Sequence, residues 1–160
     1  MLTRHGLTLA MAGLFVAIAA CGDDDDDTTN PATDFQASLS GAEEVPAVTT
    51  TATGSATLSI EGDQIVYHVE VTDLENILVS HIHVAPPGVN GPIRLNLCNT
   101  DETPACLAGG TGVLVDGSNG ATLGITFDSL VSAIRAGNAY VNVHTTQNQN
   151  GEIRGQIEAQ

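Results

Sequence analysis

The chain has 160 residues and a formal charge of −15, with nineteen acidic residues, four arginines and no lysine. Nucleic acid is excluded as a partner, because phosphate binding requires a basic patch that four arginines cannot supply. Aromatic residues make up only 3% of the chain and tryptophan is absent, which disfavours a surface that binds sugars by aromatic stacking.

Residues 1–20, MLTRHGLTLAMAGLFVAIAA, contain an early arginine, an apolar run and small residues just before Cys21. This pattern is typical of an export signal, and the apolar run is shorter than the roughly 20 residues that a spanning helix needs. The stretch 18–21 resembles the lipobox of bacterial lipoproteins. That resemblance implies acylation of Cys21, a membrane anchor and a place in the cell envelope, on the periplasmic face or the cell surface. An ordinary secretory signal is the alternative.

Residues 21–33 are predicted to be an acidic, disordered tether, because five consecutive aspartates repel one another and the following residues have no apolar face to bury. Cleavage before Cys21 would leave three arginines against nineteen acidic residues, a formal charge of −16. Residues 34–160 are predicted to form one domain, since this length supports a single hydrophobic core.

Alternation of apolar and polar residues predicts β-strands through most of this domain. A short helix is expected over residues 128–136, with Asp128 as its N-cap and Gly137 after its end. The pattern favours an all-β, antiparallel Greek-key sandwich or barrel with one short helix, and a two-layer α+β arrangement is the alternative. The predicted strands are 35–40, 54–60, 65–71, 79–85, 93–98, 112–115, 121–127, 139–145 and 152–158.

Two cysteines of the domain, Cys98 and Cys106, bracket the short segment NTDETPA. In an exported protein this spacing predicts a disulfide that closes a small loop. A pair of zinc ligands is the alternative, although the spacing is wide and no second cysteine pair exists.

The most specific functional prediction concerns three histidines. His81 and His83 alternate on one strand, so they share a face and lie about 6.5–7 Å apart along it. His144 ends the strand 139–145, on the face opposite Val141 and Val143. If the two strands are neighbours, the three imidazoles converge and could bind Cu(II) or Zn(II), with water at an open position. The alternative is that they only hold loops in place by hydrogen bonds.

Charged residues near the end of the chain are predicted to have a structural role. Glu152 and Arg154 share a strand face, and with Glu44, or with Glu43 as the alternative, they are expected to form an ion pair that joins the last strand to the first. No nucleophile elbow, phosphate-binding glycine loop or paired carboxylates are recognisable, so the domain is predicted not to be an enzyme.

Five ordered stretches resemble the CHRD domain, which is named after its repeats in the secreted animal protein chordin. The resemblance implies an immunoglobulin-like β-sandwich or barrel and an extracytoplasmic setting, but no catalytic activity. In chordin the repeats belong to a protein that captures growth factors, so a bacterial protein is expected to have a different, unknown extracytoplasmic partner. The stretches are LSGAEEVPAV (39–48), ATGSATL (52–58), SHIHVAPPGVNGPI (80–93), LVSAIRAGNAYVNVHT (130–145) and NGEIRGQI (150–157).

A shorter resemblance concerns the histidines alone. The H-x-H strand and the later V-x-H strand are similar to those that supply copper ligands in Cu/Zn superoxide dismutases, another antiparallel Greek-key barrel. The zinc-site aspartate, the further histidines and the electrostatic-loop arginine of those enzymes have no counterpart here. Three hypotheses follow: a non-catalytic binding module with a histidine metal site, a metal-independent adhesion module, and a copper-dependent redox enzyme.

Overall fold

The computed structural model describes residues 31–160, so the predicted signal, Cys21 and most of the predicted tether lie outside the described residues. Within that range no helix is long and apolar enough to cross a membrane. A single turn of 3-10 helix, Gly41–Glu43, and one α-helix, α1 (Phe127–Arg135), accompany nine strands. The strands are β1 (Asp34–Ser40), β2 (Thr53–Glu61), β3 (Gln64–Leu74), β4 (Ile77–Val84), β5 (Ile93–Cys98), β6 (Gly110–Asn119), β7 (Ala139–Thr145), β8 (Ile153–Gln156) and β9 (Glu158–Ala159).

The strands form one antiparallel sheet in the order β5-β4-β7-β8-β1-β2-β3-β6, with β9 also paired to β1. The two ends of the sheet approach each other, since the Asn119 side chain donates to the Asn96 carbonyl at 2.9 Å and Leu95 bridges to Thr122. The result is a nearly closed barrel. The all-β antiparallel prediction is therefore confirmed, and the α+β alternative is wrong.

The hydrophobic core fills the inside of this barrel, and strand alternation decides which side chains enter it. On β3, Ile65, Tyr67, Val69 and Val71 are each at most 2% exposed, while the residues between them face outward. The helix α1 adds its own apolar face to the same core. Burial of each large aliphatic side chain contributes about 1.5–3 kcal/mol, so the core is the main source of stability.

Residues 121–127 do not form the predicted strand. Gly124 has a φ of +70°, and the Thr122 hydroxyl donates to the Ile125 carbonyl at 2.6 Å, so the chain turns instead of extending. The segment 152–158 is also interrupted. Ile157 lies between β8 and β9, and its N–H donates to the Ala139 carbonyl at 2.9 Å, in register with the pairing of Tyr140 and Gln156.

The N-cap of the helix lies two residues before the predicted one, and the helix itself begins at Phe127. Thr126 is the N-cap, and its hydroxyl accepts a hydrogen bond from the Ser129 N–H at 3.2 Å. Asp128 lies in the first turn, where its charge interacts favourably with the helix dipole. Both residue types are common caps, so the sequence pattern does not separate them.

The disulfide between Cys98 and Cys106 is present, with a Cα–Cα distance of 5.1 Å. This confirms the disulfide prediction, and the zinc alternative is wrong. Asn99 supports the closed loop from inside, because its side chain donates to the Leu78 carbonyl and accepts from the Cys106 N–H, both at 2.8 Å.

Candidate metal centre

Strands β4 and β7 are neighbours, and their register brings the three histidines together. His81 pairs with Asn142, His83 pairs with Tyr140, and His144 pairs with Val79. Because alternate residues share a face, all three imidazoles project from the side of the sheet opposite the core. The predicted convergence of these histidines is therefore present in the structure.

The three rings form a compact triangle. Their centroids are 5.1 Å apart for His81 and His144, 5.7 Å for His83 and His144, and 5.8 Å for His81 and His83. One ring nitrogen from each histidine lies within 4.8 Å of the other two. Each side chain is only 7% exposed, although it lies outside the barrel core.

Two backbone carbonyls orient the rings. The Nδ1–H of His83 donates to the Gly91 carbonyl at 2.9 Å, and the Nδ1–H of His144 donates to the Gln149 carbonyl at 3.0 Å. In a neutral imidazole the other nitrogen then carries the lone pair. Nε2 of both rings is buried without a hydrogen-bond partner, as is Nδ1 of His81. Two lone-pair nitrogens and one further unpartnered ring nitrogen thus belong to this triangle, and none of the three has a hydrogen-bond partner.

Burial also keeps these rings neutral. Desolvation lowers the pKa of His81 to about 3, and the nearby His144 and His83 contribute in the same direction. Desolvation lowers the pKa values of His83 and His144 as well, against the opposing effect of their backbone hydrogen bonds. Neutral imidazoles are the form that binds a metal ion.

The proline-rich loop 86–92 covers one side of the triangle. The Gly91 N–H donates to the Tyr140 hydroxyl at 3.1 Å, and the Tyr140 ring stacks on His83 with centroids 4.9 Å apart. Gly91 has to be glycine here, because a Cβ atom would overlap the Val84 carbonyl. The loop therefore holds in place the carbonyl that orients His83.

The predicted ion pair of Glu44, Glu152 and Arg154 is not formed. Arg154 lies over the Tyr140 ring at 4.2 Å and donates to the Asn90 side chain at 3.0 Å. Across residues 31–160, the carboxylates within 4.0 Å of a basic side chain are those near His68, on the barrel exterior. The prediction is wrong because neutral groups, not visible as charge patterns, take up the hydrogen bonds of Arg154 and Glu152.

Glu152 is held by neutral groups instead. It accepts hydrogen bonds from the Thr145 hydroxyl at 2.6 Å, the Thr50 hydroxyl at 2.9 Å and the Asn148 amide at 3.0 Å. Burial raises the pKa of this carboxyl, but the hydrogen bonds outweigh that effect and lower it. Glu152 therefore connects the loop before β2 to the loop between β7 and β8.

Glu44 has a different environment. Its side chain is 6% exposed, and its Oε1 has no hydrogen-bond partner. Burial raises the pKa of this carboxyl to about 7, although the charge of Arg154 and the Val45 N–H act in the opposite direction. The sequence indicated Glu44 only as an ion-pair partner. It did not indicate that this carboxyl would be buried near Asn142, beside the layer of side chains that contains His81, His83 and His144. We call this the histidine layer.

Sequence reasoning missed the supporting contacts of the site. The carbonyls of Gly91 and Gln149 leave no signal in the sequence, since every residue carries a carbonyl. Asn142 and Tyr140 could be placed on the histidine face from strand alternation, but their burial could not. The burial of these two side chains depends on loops that fold over that face.

These observations define an antiparallel β-barrel domain with a buried cluster of three histidines beside its sheet. Residues 35–157 match the family model of the CHRD domain, and the chain belongs to that family. No curated protein and no solved structure shows a significant match. The predicted family is thus confirmed, while no characterised relative supplies a function for the histidines.

Proposed function

We propose that this CHRD domain is a non-catalytic binding module that holds one Cu(II) or Zn(II) ion through His81, His83 and His144. The observation that supports this proposal is the convergence of three buried ring nitrogens without partners. Leaving a buried polar atom unsatisfied costs about 1–3 kcal/mol, and one metal ion would satisfy all three.

The donor set fits this class of metal. Imidazole nitrogens suit zinc and copper, and a site with three protein ligands leaves one position for water or another ligand. Hydrogen bonds from the distal nitrogens of His83 and His144 to carbonyls are the usual support for metal-binding histidines. A metal at about 2.0–2.1 Å from each nitrogen requires the rings to draw closer together than their present separation.

Elemental analysis tests the proposal. The full chain, purified without chelator or affinity tag, is measured as isolated and after separate copper and zinc reloading. We expect near one metal per chain in the wild type and none in a His81→Ala/His83→Ala variant that remains folded by circular dichroism. His68→Ala is the matched control, because His68 is partly exposed and bonded to Asp116 on β6. It should keep the metal.

Substoichiometric metal in all of these proteins after reloading would overturn the proposal. The histidines would then serve to position loops, and a metal-independent protein partner would become the leading hypothesis. The copper-loaded protein is also assayed for superoxide disproportionation, for which we expect no turnover. Copper-dependent turnover that the double variant loses would assign a redox activity instead.

The proposal includes an envelope location. The apolar run before Cys21 and the small residues at 18–20 support export and acylation of this cysteine. We expect the wild type in the membrane fraction, with a mass that includes acyl chains attached to Cys21. A Cys21→Ala variant should lose the acyl mass and leave that fraction. An unchanged distribution and mass would contradict the anchor.

A further inference from the structure

A cavity of about 200 Å³ lies beside the histidine layer, between the segments 44–48 and 147–151. We call it the Glu44 cavity. One wall is apolar and comprises Val45, Pro46 and Val48, and the other is the amide-rich segment Gln147–Gly151. It contains none of the three histidines, although the carbonyl of Gln149, in the amide-rich wall, accepts the hydrogen bond from His144.

Glu44 supplies the carboxyl group of this cavity. The side chain is more than nine-tenths buried, yet Oε1 has no hydrogen-bond partner. Arg154 is near enough to influence the charge of Glu44, but it forms no ion pair with it and donates to Val89 and Asn90 instead. A buried carboxylate in this situation requires a donor from elsewhere.

A second unpartnered oxygen lies near Glu44. Asn142 Oδ1 is buried without a partner. Glu44 Oε1 and both Oδ1 and Nδ2 of Asn142 lie 2.5 Å from the point where a Cβ atom on Gly151 would stand. The φ of Gly151 is +125°, so this residue has to be glycine, and the missing side chain lets Glu44 and Asn142 approach each other against the wall of the cavity.

The ligand must therefore bring hydrogen-bond donors, and a positive charge best compensates a buried carboxylate. No arginine lines the cavity, and the chain has no lysine to supply that charge internally. A primary ammonium carries three donors on a compact centre, which matches the Glu44 carboxylate and the amide oxygens of the rim. The apolar wall suits a short alkyl chain attached to the ammonium nitrogen.

We propose that the Glu44 cavity binds a primary ammonium group on an unbranched alkyl chain, either a free amine or the side chain of a lysine. Its volume is below the range of about 300–1,000 Å³ that is typical of drug-sized ligands, which fits this small group. This site goes beyond the proposed metal binding and does not depend on it.

The test is a titration of the full chain, followed by amide chemical shifts and calorimetry. The probes are n-butylammonium, its neutral analogue n-butanol and the anion butyrate. We expect saturable binding of n-butylammonium alone, with the largest shifts at Glu44 and Gly151. Glu44→Gln should weaken this binding at least tenfold, whereas Glu43→Gln, which changes the exposed neighbouring carboxylate, should leave it unchanged.

A lysine probe distinguishes the two sources of the ammonium. N-acetyl-lysine N-methylamide carries the same group on a peptide backbone. Binding as tight as that of n-butylammonium assigns the cavity to a lysine side chain of a protein partner. Binding of n-butylammonium alone assigns it to a free amine. Both results support the ammonium site.

Three results would overturn the proposal. They are the absence of saturable binding at millimolar n-butylammonium, equal binding of n-butanol, and equal binding by Glu44→Gln. In the first case, slow exchange of the Asn142 amide protons in the free protein would show that Asn142 itself donates to Glu44.

Amine binding by the His81→Ala/His83→Ala variant and metal content of Glu44→Gln are measured in parallel, so failure of one site is distinguished from failure of the other.

Discussion

Glu44 carries a carboxyl group that folding buries without a partner for Oε1. Its pKa rises from 4.5 to about 7 because burial disfavours the charged form. Between these values the folded state binds more protons than the unfolded state. The contribution of Glu44 to stability therefore falls as the pH rises through this range, and the full penalty is present above about pH 7.

Replacement of Glu44 by glutamine should remove this penalty. We expect Glu44→Gln to raise the free energy of unfolding above about pH 7.5 by at most about 3 kcal/mol, with little change near about pH 4.5. Urea unfolding at the two pH values measures the difference. Glu43→Gln is the control. If both variants show the pH dependence of the wild type, Glu44 ionises without cost and this account of its environment is wrong.

Tyr140 connects the loop 86–92 to the histidine layer. Tyr140→Phe keeps the ring that stacks on His83 but removes the hydroxyl that accepts from the Gly91 N–H. We expect a loss of about 0.5–1.5 kcal/mol in the free energy of unfolding and a zinc affinity about tenfold weaker, because the Gly91 carbonyl orients His83.

Calorimetric zinc titration and urea unfolding of Tyr140→Phe measure these two effects. Tyr67→Phe is a useful comparison, since the Tyr67 hydroxyl donates to the Leu97 carbonyl inside the barrel. It should lose stability without losing zinc affinity. Equal zinc affinity in Tyr140→Phe and the wild type would contradict the role given to the loop.

At the scale of the elements, alternation predicted most strands because one face of each strand is buried. The strand β3 illustrates this, with Ile65, Tyr67, Val69 and Val71 inside the barrel. Alternation wrongly predicted a strand over residues 121–127, where Thr122 and Gly124 turn the chain. It also missed the interruption at Ile157, which lies between β8 and β9 and whose alternation with its neighbours continues across the break.

The N-cap of α1 is a further difference that can be measured. The Thr126 hydroxyl accepts from the Ser129 N–H, whereas Asp128 acts only through its charge in the first turn. We expect Thr126→Ala to cost about 1 kcal/mol and Asp128→Ala to cost less, at about 0.3–1 kcal/mol. Urea unfolding compares the two variants. A larger loss in Asp128→Ala would favour the cap predicted from the sequence.

At the scale of the whole molecule, the order of strands brings the site together. Alternation placed His81 and His83 on one face and His144 on the face opposite Val141. It could not show that β4 pairs with β7, since the segments are separated by β5, β6 and α1. The register of that pair decides that the imidazoles meet.

The sequence also could not predict that the histidine face would be buried. The loop 86–92 covers one side of it, and the Asn90 side chain of this loop donates to the Val45 carbonyl. Such contacts depend on backbone groups and leave no compositional pattern. The same limit explains why the ion pair expected for Arg154 and Glu152 is absent from the described residues, where loop groups bond to both.

Nitrogen NMR of the histidine rings during zinc titration tests whether three specific ring nitrogens bind one metal ion. We expect the metal-free protein to show His83 and His144 protonated at Nδ1. One equivalent of zinc should then shift Nε2 of these two residues and Nδ1 of His81, and leave His68 unchanged. If zinc shifts only His68, or leaves all the rings unchanged, the histidine cluster is not a metal site.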